Sequence, residues 1–366
     1  MSEIKEYKCP ACGGAMEFDS ASQKMKCPYC DTEISIEEYE ALSEEKELKG
    51  STAQTGEQAE EQQEDASDWD QEEIDGMAVY ICQSCGGEIA ADKNTGATTC
   101  PFCGNRVVLK GQFEGRLKPD YIIPFKLDKK AAKTAYYNHL KGKAFVPRTF
   151  KDENHIDEIV GVYVPFWLFD LDAQADITYN AERMRVWESG DMEYTEHEYF
   201  RVDRSGGVSF EHIPEDGSRK MEDDLMESLE PYQFADAVPF KTAYLAGYVA
   251  DRYDVEVEEC MKRAKSRVKK SAEREFRETV KGYHVVTVAD SKVKIKESQH
   301  KYALYPVWIL NTTWKENKYI FAMNGQTGKI VGDLPADKGA FWKYVVSRGV
   351  VWGAIIYILM WLFMTV

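Results

Sequence analysis

Apolar residues recur at helical spacing between Val255 and Lys281. Val257, Met261, Ala264, Val268, Ala272, Phe276 and Val280 fall close to one stripe, which predicts an amphipathic helix. A shorter helix is expected over Lys129 to Lys141, and an acidic one over Ile36 to Leu48. Runs rich in β-branched and aromatic residues predict strands at Leu168 to Thr178 and Ile309 to Ile330. The clearest hairpin joins Tyr319–Met323 to Lys329–Val331 across Asn324-Gly325-Gln326-Thr327-Gly328, a run of turn formers. The pattern changes at the far end, where the 18 residues from Gly349 to Val366 carry no charge. As a helix they rise about 27 Å, close to the roughly 30 Å of a bilayer core. Extension back through Tyr344 closes the gap if Arg348 snorkels. Residues 341–366 are therefore expected to form a transmembrane tail anchor in contact with the lipid bilayer. Lys338, Lys343 and Arg348 precede it, so the positive-inside rule predicts a single-pass cell-membrane protein with its N-terminal bulk in the cytoplasm. A buried C-terminal core helix is the alternative.

The segment from Ser51 to Gly76 has ten Asp or Glu and no Lys or Arg, a composition that cannot bury enough apolar surface to fold. It divides the chain. The expected organisation is a small cysteine module at 1–36, an acidic helix and flexible linker at 37–76, a second module at 77–112, an α+β body at 113–336, and the anchor. The linker should leave the two modules mobile relative to each other, with the second tied more closely to the body. Within the body, Ile123-Pro124-Phe125-Lys126 recurs as Val238-Pro239-Phe240-Lys241, and Val164-Pro165-Phe166-Trp167 as Tyr305-Pro306-Val307-Trp308. A helical stretch lies inside each copy. Two related halves, about 119–235 and 236–336, are expected from an internal duplication, each pairing a helix with an antiparallel sheet.

The chemistry sits in the cysteines. Cys9-Pro-Ala-Cys12 and Cys27-Pro-Tyr-Cys30 are separated by 14 residues, and so are Cys82-Gln-Ser-Cys85 and Cys100-Pro-Phe-Cys103. Each Cys-x-x-Cys pair fits a tight turn aiming two thiolates at one ion, and two such turns complete a tetrahedral Cys₄ shell. The expected fold class is thus two small Cys₄ zinc ribbons, then an α+β domain with an internal duplication, then a C-terminal transmembrane helix. The expected cofactors are two structural Zn²⁺ ions, held by Cys9, Cys12, Cys27 and Cys30 and by Cys82, Cys85, Cys100 and Cys103. Disulfides or buried thiols are the alternative. Metal-bound thiolates need a reducing compartment, which agrees with a cytoplasmic bulk. A closed Cys₄ shell keeps no position open for water, which argues against metal-assisted hydrolysis. The six histidines form no HExxH pattern, and no P-loop, GxGxxG or GxSxG occurs, so no catalytic residue is assigned and the chain reads as a non-enzyme. The ninth cysteine, Cys260, reads as a small buried hydrophobe.

The net charge of −17 argues against nucleic acid as a partner. Against that background, nine Lys or Arg and three Glu lie between Met261 and Lys281. This basic concentration is either the solvated face of a core helix or a surface for anionic lipid or an acidic partner. Tyr29 and Phe102 hold matching positions in the two modules. They could contact a protein, pack over the metal, or stack on bases. The favoured function is a non-catalytic, membrane-anchored adaptor that recruits a protein through its ribbons. A membrane-tethered nucleic-acid binder and a redox or zinc sensor, in which thiolate oxidation releases the metal, are the alternatives.

Two Cys₄ ribbons, an α+β body and an apolar tail, with the stretches Gly161–Phe169 (GVYVPFWLF), His212–Tyr232 (HIPEDGSRKMEDDLMESLEPY), Tyr244–Asp254 (YLAGYVADRYD) and Phe321–Pro335 (FAMNGQTGKIVGDLP), resemble the TFIIB-type zinc-ribbon membrane proteins of Gram-positive bacteria. The resemblance covers nearly the whole chain. It implies no role in transcription and no helicase activity. It implies the eight cysteines as zinc ligands and, as partners, SPFH (flotillin-like) or phage-shock-type proteins in a membrane-stress assembly.

Overall fold

A computed structural model describes residues 4–5, 7–50, 77–81, 88–92, 95–99, 106–109, 118–156 and 158–365. The main helices are α1 (Ile36–Gly50), α2 (Lys129–Leu140), α3 (Asp223–Ser228), α4 (Val257–Glu278) and α5 (Lys338–Thr365). The chain divides into two compact units. The first comprises Met1–Pro124, Tyr163–Glu227 and Gln233–Tyr305, and the second Phe125–Val162, Ser228–Tyr232 and Pro306–Val366.

The first unit begins with β1 (Ile4–Lys5), then β2 (Glu17–Asp19), β3 (Lys24–Lys26) and β4 (Glu33–Ile34), of which the last three form a small antiparallel sheet. Alternation along β2 and β3 turns Phe18 and Met25 inward, where they face each other across the ladder. Ser35 starts α1 with a capping box. Its hydroxyl accepts the Glu38 amide at 3.2 Å, and the Glu38 carboxylate accepts the Ser35 amide at 3.1 Å. Next come β5 (Met77–Ile81) paired with β6 (Glu88–Asp92), and β7 (Thr95–Thr99) paired with β8 (Arg106–Leu109). β1 pairs with β8, Ile4 opposite Leu109. The flanks of the two cysteine-bearing segments thus share a strand ladder, while the linker predicted at 51–76 lies outside the described residues.

β9 (Tyr121–Ile122), β10 (Val160–Ser189), β11 (Met192–Asp216), β12 (Val238–Pro239), β13 (Val249–Asp251) and β14 (Val285–Trp314) follow. β9 and β12 pair antiparallel, Ile122 opposite Val238, so the starts of the two Pro-Phe-Lys copies lie side by side. β10 and β11 form one long hairpin, in register from Phe166↔Asp216 to Ser189↔Met192 with one irregularity near Phe169. Period-2 alternation puts Ala175, Ile177, Tyr179 and Ala181 on its inner face. The apolar stripe of α4 covers that face, and Phe276 and Val280 complete the cluster. The helix forms at 257–278, as the hydrophobic periodicity predicts. In sequence the order Pro-Phe-Lys, helix, long strand occurs twice, as β9, α2, β10 and as β12, α4, β14.

In the second unit, residues 307–314 of β14 turn through Lys315-Glu316, both at positive φ, into β15 (Asn317–Asn324), which pairs with β16 (Ile330–Val331). The Asn324 side chain holds the turn that follows: its Oδ1 accepts the amides of Gln326 and Thr327, each at 2.9 Å. Gly325 is required there, because a Cβ would lie 2.6 Å from the Phe125 ring and 2.9 Å from Pro306. α2, capped by Asp128, buries Tyr136 edge-on against Phe321. The described residues therefore form an α+β structure.

The C-terminal expectation is corrected. α5 runs from Lys338 to Thr365, yet among the described residues no helix is long and apolar enough to cross a membrane. The reason lies in the spacing of charge. Lys338, Lys343 and Arg348 fall inside the helix, and the continuous uncharged run of described side chains is 349–358. Such a run rises about 15 Å, half of a bilayer core. The side chains of 359 and 362–366 lie outside the described residues. The transmembrane helix at 341–366, the bilayer as partner and the single-pass cell-membrane localisation are not supported. What the structure gives α5 is a start capped by Asp337, whose Oδ1 accepts the Gly339 amide at 2.9 Å, and packing of Phe341 and Tyr344 on Phe145.

Candidate metal centre

The first module brings Cys9, Cys12, Cys27 and Cys30 together, with all four Sγ atoms within 4.8 Å of one another. Cys9 Sγ lies 3.6 Å from Cys30 Sγ, and Cys12 Sγ lies 3.5 Å from Cys27 Sγ. A tetrahedral ion with metal–sulfur bonds of about 2.3 Å needs sulfurs about 3.8 Å apart, so this donor set fits one.

The backbone explains the convergence. In the first knuckle the Cys9 amide donates to Gly14 O at 2.7 Å, and the Gly13 amide donates to Cys9 O at 2.9 Å. In the second, the Cys27 amide donates to Thr32 O at 2.9 Å, and the Asp31 amide donates to Cys27 O at 3.0 Å. The two loops are closed by the same pair of bonds. Each puts its fifth residue in the left-handed region, Gly13 at φ 76° and Asp31 at φ 56°. Each six-residue loop is also flanked by a facing pair, Lys8↔Ala15 for the first and Lys26↔Glu33 for the second.

Electrostatics favour a cation here. Burial pushes the Cys9 thiol up, but the amides of Cys12 and Ala11 and the neighbouring sulfurs outweigh it, and it falls to about 6. Cys12 is drawn down by the Gly14 amide and pushed up more strongly by Cys30 and Cys27, reaching about 12. Cys30 is lowered, first by the Thr32 hydroxyl, which sits 3.1 Å from its Sγ. Four thiols this close resist joint ionisation, and a divalent ion reverses that resistance. Sequence reasoning singled out the sulfurs but missed Thr32, Gly13 and Asp31. Their shared offsets from the first cysteine of each pair are the signal that could have found them.

The module is seated on the 241–246 segment. The Phe18 amide donates to Ala246 O at 2.8 Å, and its ring packs edge-on to Tyr244. Lys241 Nζ bridges Glu40 at 2.9 Å and Glu37 at 3.4 Å. The Tyr7 hydroxyl bonds Thr242 Oγ1, and burial holds that phenol protonated. Tyr29 stays 70% exposed at the rim, its ring lying over Gly14.

Cys82, Cys85, Cys100 and Cys103, and with them Phe102, lie outside the described residues. Their flanks are described: Ile81 faces Glu88, and Thr99 faces Arg106. Each of these pairs also brackets six residues that begin with the first cysteine of a Cys-x-x-Cys. Cys260 is buried, its thiol pushed up to about 11 by burial and bonded to Asp216 O, which suits an inert core residue. Nearby, Glu215 is buried between Arg263 Nε at 3.4 Å and Arg267 at 3.1 Å. Burial pushes Asp216 up to about 7; its Oδ1 accepts the Ser218 amide, and its Oδ2 has no hydrogen-bond partner among the described residues.

Fold and site together define an α+β protein carrying a four-cysteine module whose sulfurs are close enough to hold one metal ion. The chain is 34% identical over 321 aligned positions to "Uncharacterized protein YdjG" of Bacillus subtilis (strain 168), covering 74% of this chain and 94% of that protein. It belongs to the same family as that protein. A 35-residue stretch, 9% of this chain, is 46% identical to 71% of the DNA-directed RNA polymerase subunit Rpo12 of Thermococcus onnurineus (strain NA1). No family model and no solved structure matches.

Proposed function

We propose that this chain is a TFIIB-type zinc-ribbon docking protein. Each Cys₄ set holds one structural Zn²⁺, and the folded ribbons recruit a protein partner without catalysing a reaction. The observation that carries the reading is the closed cluster of Cys9, Cys12, Cys27 and Cys30 sulfurs, within 4.8 Å of one another and fitted to one tetrahedral ion. The second ion, on Cys82, Cys85, Cys100 and Cys103, is supported by the matching facing pairs around those loops. Such an ion contributes folding energy outright, about 10–16 kcal/mol in zinc-finger peptides, and needs no substrate to justify it. Exposed Tyr29 supplies an aromatic anchor of the kind protein interfaces favour. Likeness to a polymerase subunit supports use of the ribbon within a protein assembly. SPFH or phage-shock-type proteins are the partner class that the resemblance favours.

The test is affinity purification of the full chain with and without nuclease, alongside metal analysis. Two zinc ions per chain are expected, one fewer in Cys9→Ser/Cys12→Ser and one fewer in Cys82→Ser/Cys85→Ser. Co-purifying proteins should survive nuclease and be lost in at least one double variant. A catch dominated by nucleic acid, or protein recruitment unchanged in both variants, refutes the docking reading.

A further inference from the structure

β11 has a strand on one side alone. It pairs with β10 from Phe166↔Asp216 to Ser189↔Met192, and among the described residues no strand runs along its other edge. Which backbone groups face that edge follows from β10. Glu182 O accepts the His284 amide at 2.8 Å and Asn180 O accepts the Thr287 hydroxyl at 3.4 Å, so the even-numbered residues of this stretch of β10 turn their backbone groups toward β14. Its odd-numbered residues therefore face β11. Tyr179 stands opposite Val202, Ala181 opposite Phe200 and Arg183 opposite Glu198, which engages the even-numbered amides and carbonyls of β11. Those of Thr195, His197, Tyr199, Arg201, Asp203 and Ser205 point to the open edge, and all six residues are exposed.

Such a row is a template for another strand, and proteins blunt it with proline, bulges or like charge. β14 is blunted: Lys292, Lys294 and Lys296 alternate along it, so pairing that stretch with itself sets lysine against lysine. β11 is not. From Glu193 to Gly207 it has no proline and no break in register. Its charges are self-complementary instead. When two copies are laid antiparallel about a two-fold axis at Phe200, Glu196 faces Arg204, His197 faces Asp203 and Tyr199 faces Arg201, each twice. This register also joins odd positions to odd, so the outward amides and carbonyls meet. An axis at Glu198 or at Arg201 would set that residue against itself. Arg204 donates to Thr279 Oγ1 and Asp203 O and has no acidic partner among the described residues. Glu196 lies 4.0 Å from Arg185 on the β10 side, with its side chain 48% exposed.

α4 leaves room for the second strand. It runs over β11 from Asp216, whose carbonyl accepts from Arg263, to Gly206, where a Cβ would lie 3.5 Å from Phe276. It ends beside Arg204, which bonds Thr279. With the axis at Phe200, the two helix ends are separated by eight residues of strand, about 27 Å, and the helices run away from each other.

We infer that β11 of one copy pairs antiparallel with β11 of a second copy about Phe200, which makes one continuous sheet across a two-fold dimer.

Sedimentation of the full chain tests this. A monomer–dimer equilibrium is expected, shifted toward monomer by added salt. Glu196→Arg sets arginine against Arg204, and Arg204→Glu sets glutamate against Glu196. Each should weaken the dimer about tenfold, since a cross-strand pair changes sign twice per dimer. Glu196→Arg/Arg204→Glu restores opposite charges in the same register, and the dimer should return; a defect of folding would not be rescued in this way. Circular dichroism should show all three variants folded, because both side chains lie outside the core. The register is read by disulfide trapping. Positions 196 and 204 form a non-hydrogen-bonded pair with Cα atoms about 4.5 Å apart, within disulfide reach. Glu196→Cys mixed with Arg204→Cys should give, under mild oxidation, a peptide pair joined through positions 196 and 204, and neither variant alone should link through its new cysteine. A wild-type chain that sediments as a monomer into the high micromolar range overturns the inference. So does a dimer indifferent to both charge reversals, or a mixture that forms no link between 196 and 204.

Discussion

The left-handed position of each knuckle gives a direct test of how the metal site is built. Gly13 has φ 76°, and a Cβ there would meet nothing within 4 Å, so Gly13→Ala costs backbone strain alone. For a non-glycine residue that strain is about 1–2 kcal/mol. If the knuckle folds on a metal ion, as proposed, the cost passes to metal affinity, about 5- to 30-fold. The sister position shows which residues this conformation tolerates. Asp31 holds it at φ 56°, and Asp and Asn are the side chains that visit the region most readily. Gly13→Asn should therefore weaken binding less than Gly13→Ala. Asp31→Gly should change it little, since relieved strain is offset by added chain entropy in the unfolded state. The assay is zinc competition against a chromogenic chelator, read as zinc retained by the full chain. Affinity unaffected by Gly13→Ala, or Asn no better than Ala, would refute the argument that these two loops share one backbone design.

Two further outcomes are expected. Asp216 is raised by burial to about 7 in the folded chain, well above its unfolded value. A carboxyl raised in this way contributes stability at low pH that is lost as pH rises through 7, so thermal stability should fall between about pH 4 and pH 7; Asp216→Asn should flatten that fall in a melting-temperature profile, and an unchanged profile would refute it. Lys241→Glu replaces the bridges to Glu37 and Glu40 with repulsion. Amide exchange in residues 17–40 should then quicken while α4 is unaffected, and equal protection in both chains would show that the seat does not depend on Lys241.

The sulfur ligands were legible because metal chemistry writes itself as spacing: two Cys-x-x-Cys pairs, 14 residues apart, converge in the structure at Cys9, Cys12, Cys27 and Cys30. The stripe on α4 was legible for the same reason, since a helix repeats what its face requires. What could not be read was contact between distant segments. The acidic stretch 51–76 suggested only a tether, and a tether does not say what the first module touches. Phe18 against Tyr244, Lys241 against Glu40, and β1 against β8 leave no local mark in the sequence. Strand length was also hidden. Periodicity marked Leu168 to Thr178, whereas β10 continues to Ser189, because residues 182–189 and their partners mix apolar and charged residues on the same face. The C-terminal helix differs on a related point: Lys338, Lys343 and Arg348 fall inside α5, and the uncharged run of described side chains that follows is 349–358.

The seating of the first module also constrains what docking can mean. A tethered ribbon searches a volume and gains encounter rate, whereas a seated one presents a single surface and gains preorganisation. The knuckle bearing Tyr29 lies on a module held by a backbone bond to Ala246, an aromatic contact, two ion pairs and a partly buried hydroxyl pair. A partner that engages Tyr29 therefore meets a rim fixed relative to the 241–246 segment and, through β1, to the ladder carrying β7 and β8. A metal ion held by Cys9, Cys12, Cys27 and Cys30 would fix the loop over which Tyr29 lies, so removing it should disorder the rim around Tyr29 while the α4 cluster of Ala175, Tyr179 and Phe276, built without any metal ligand, stays intact.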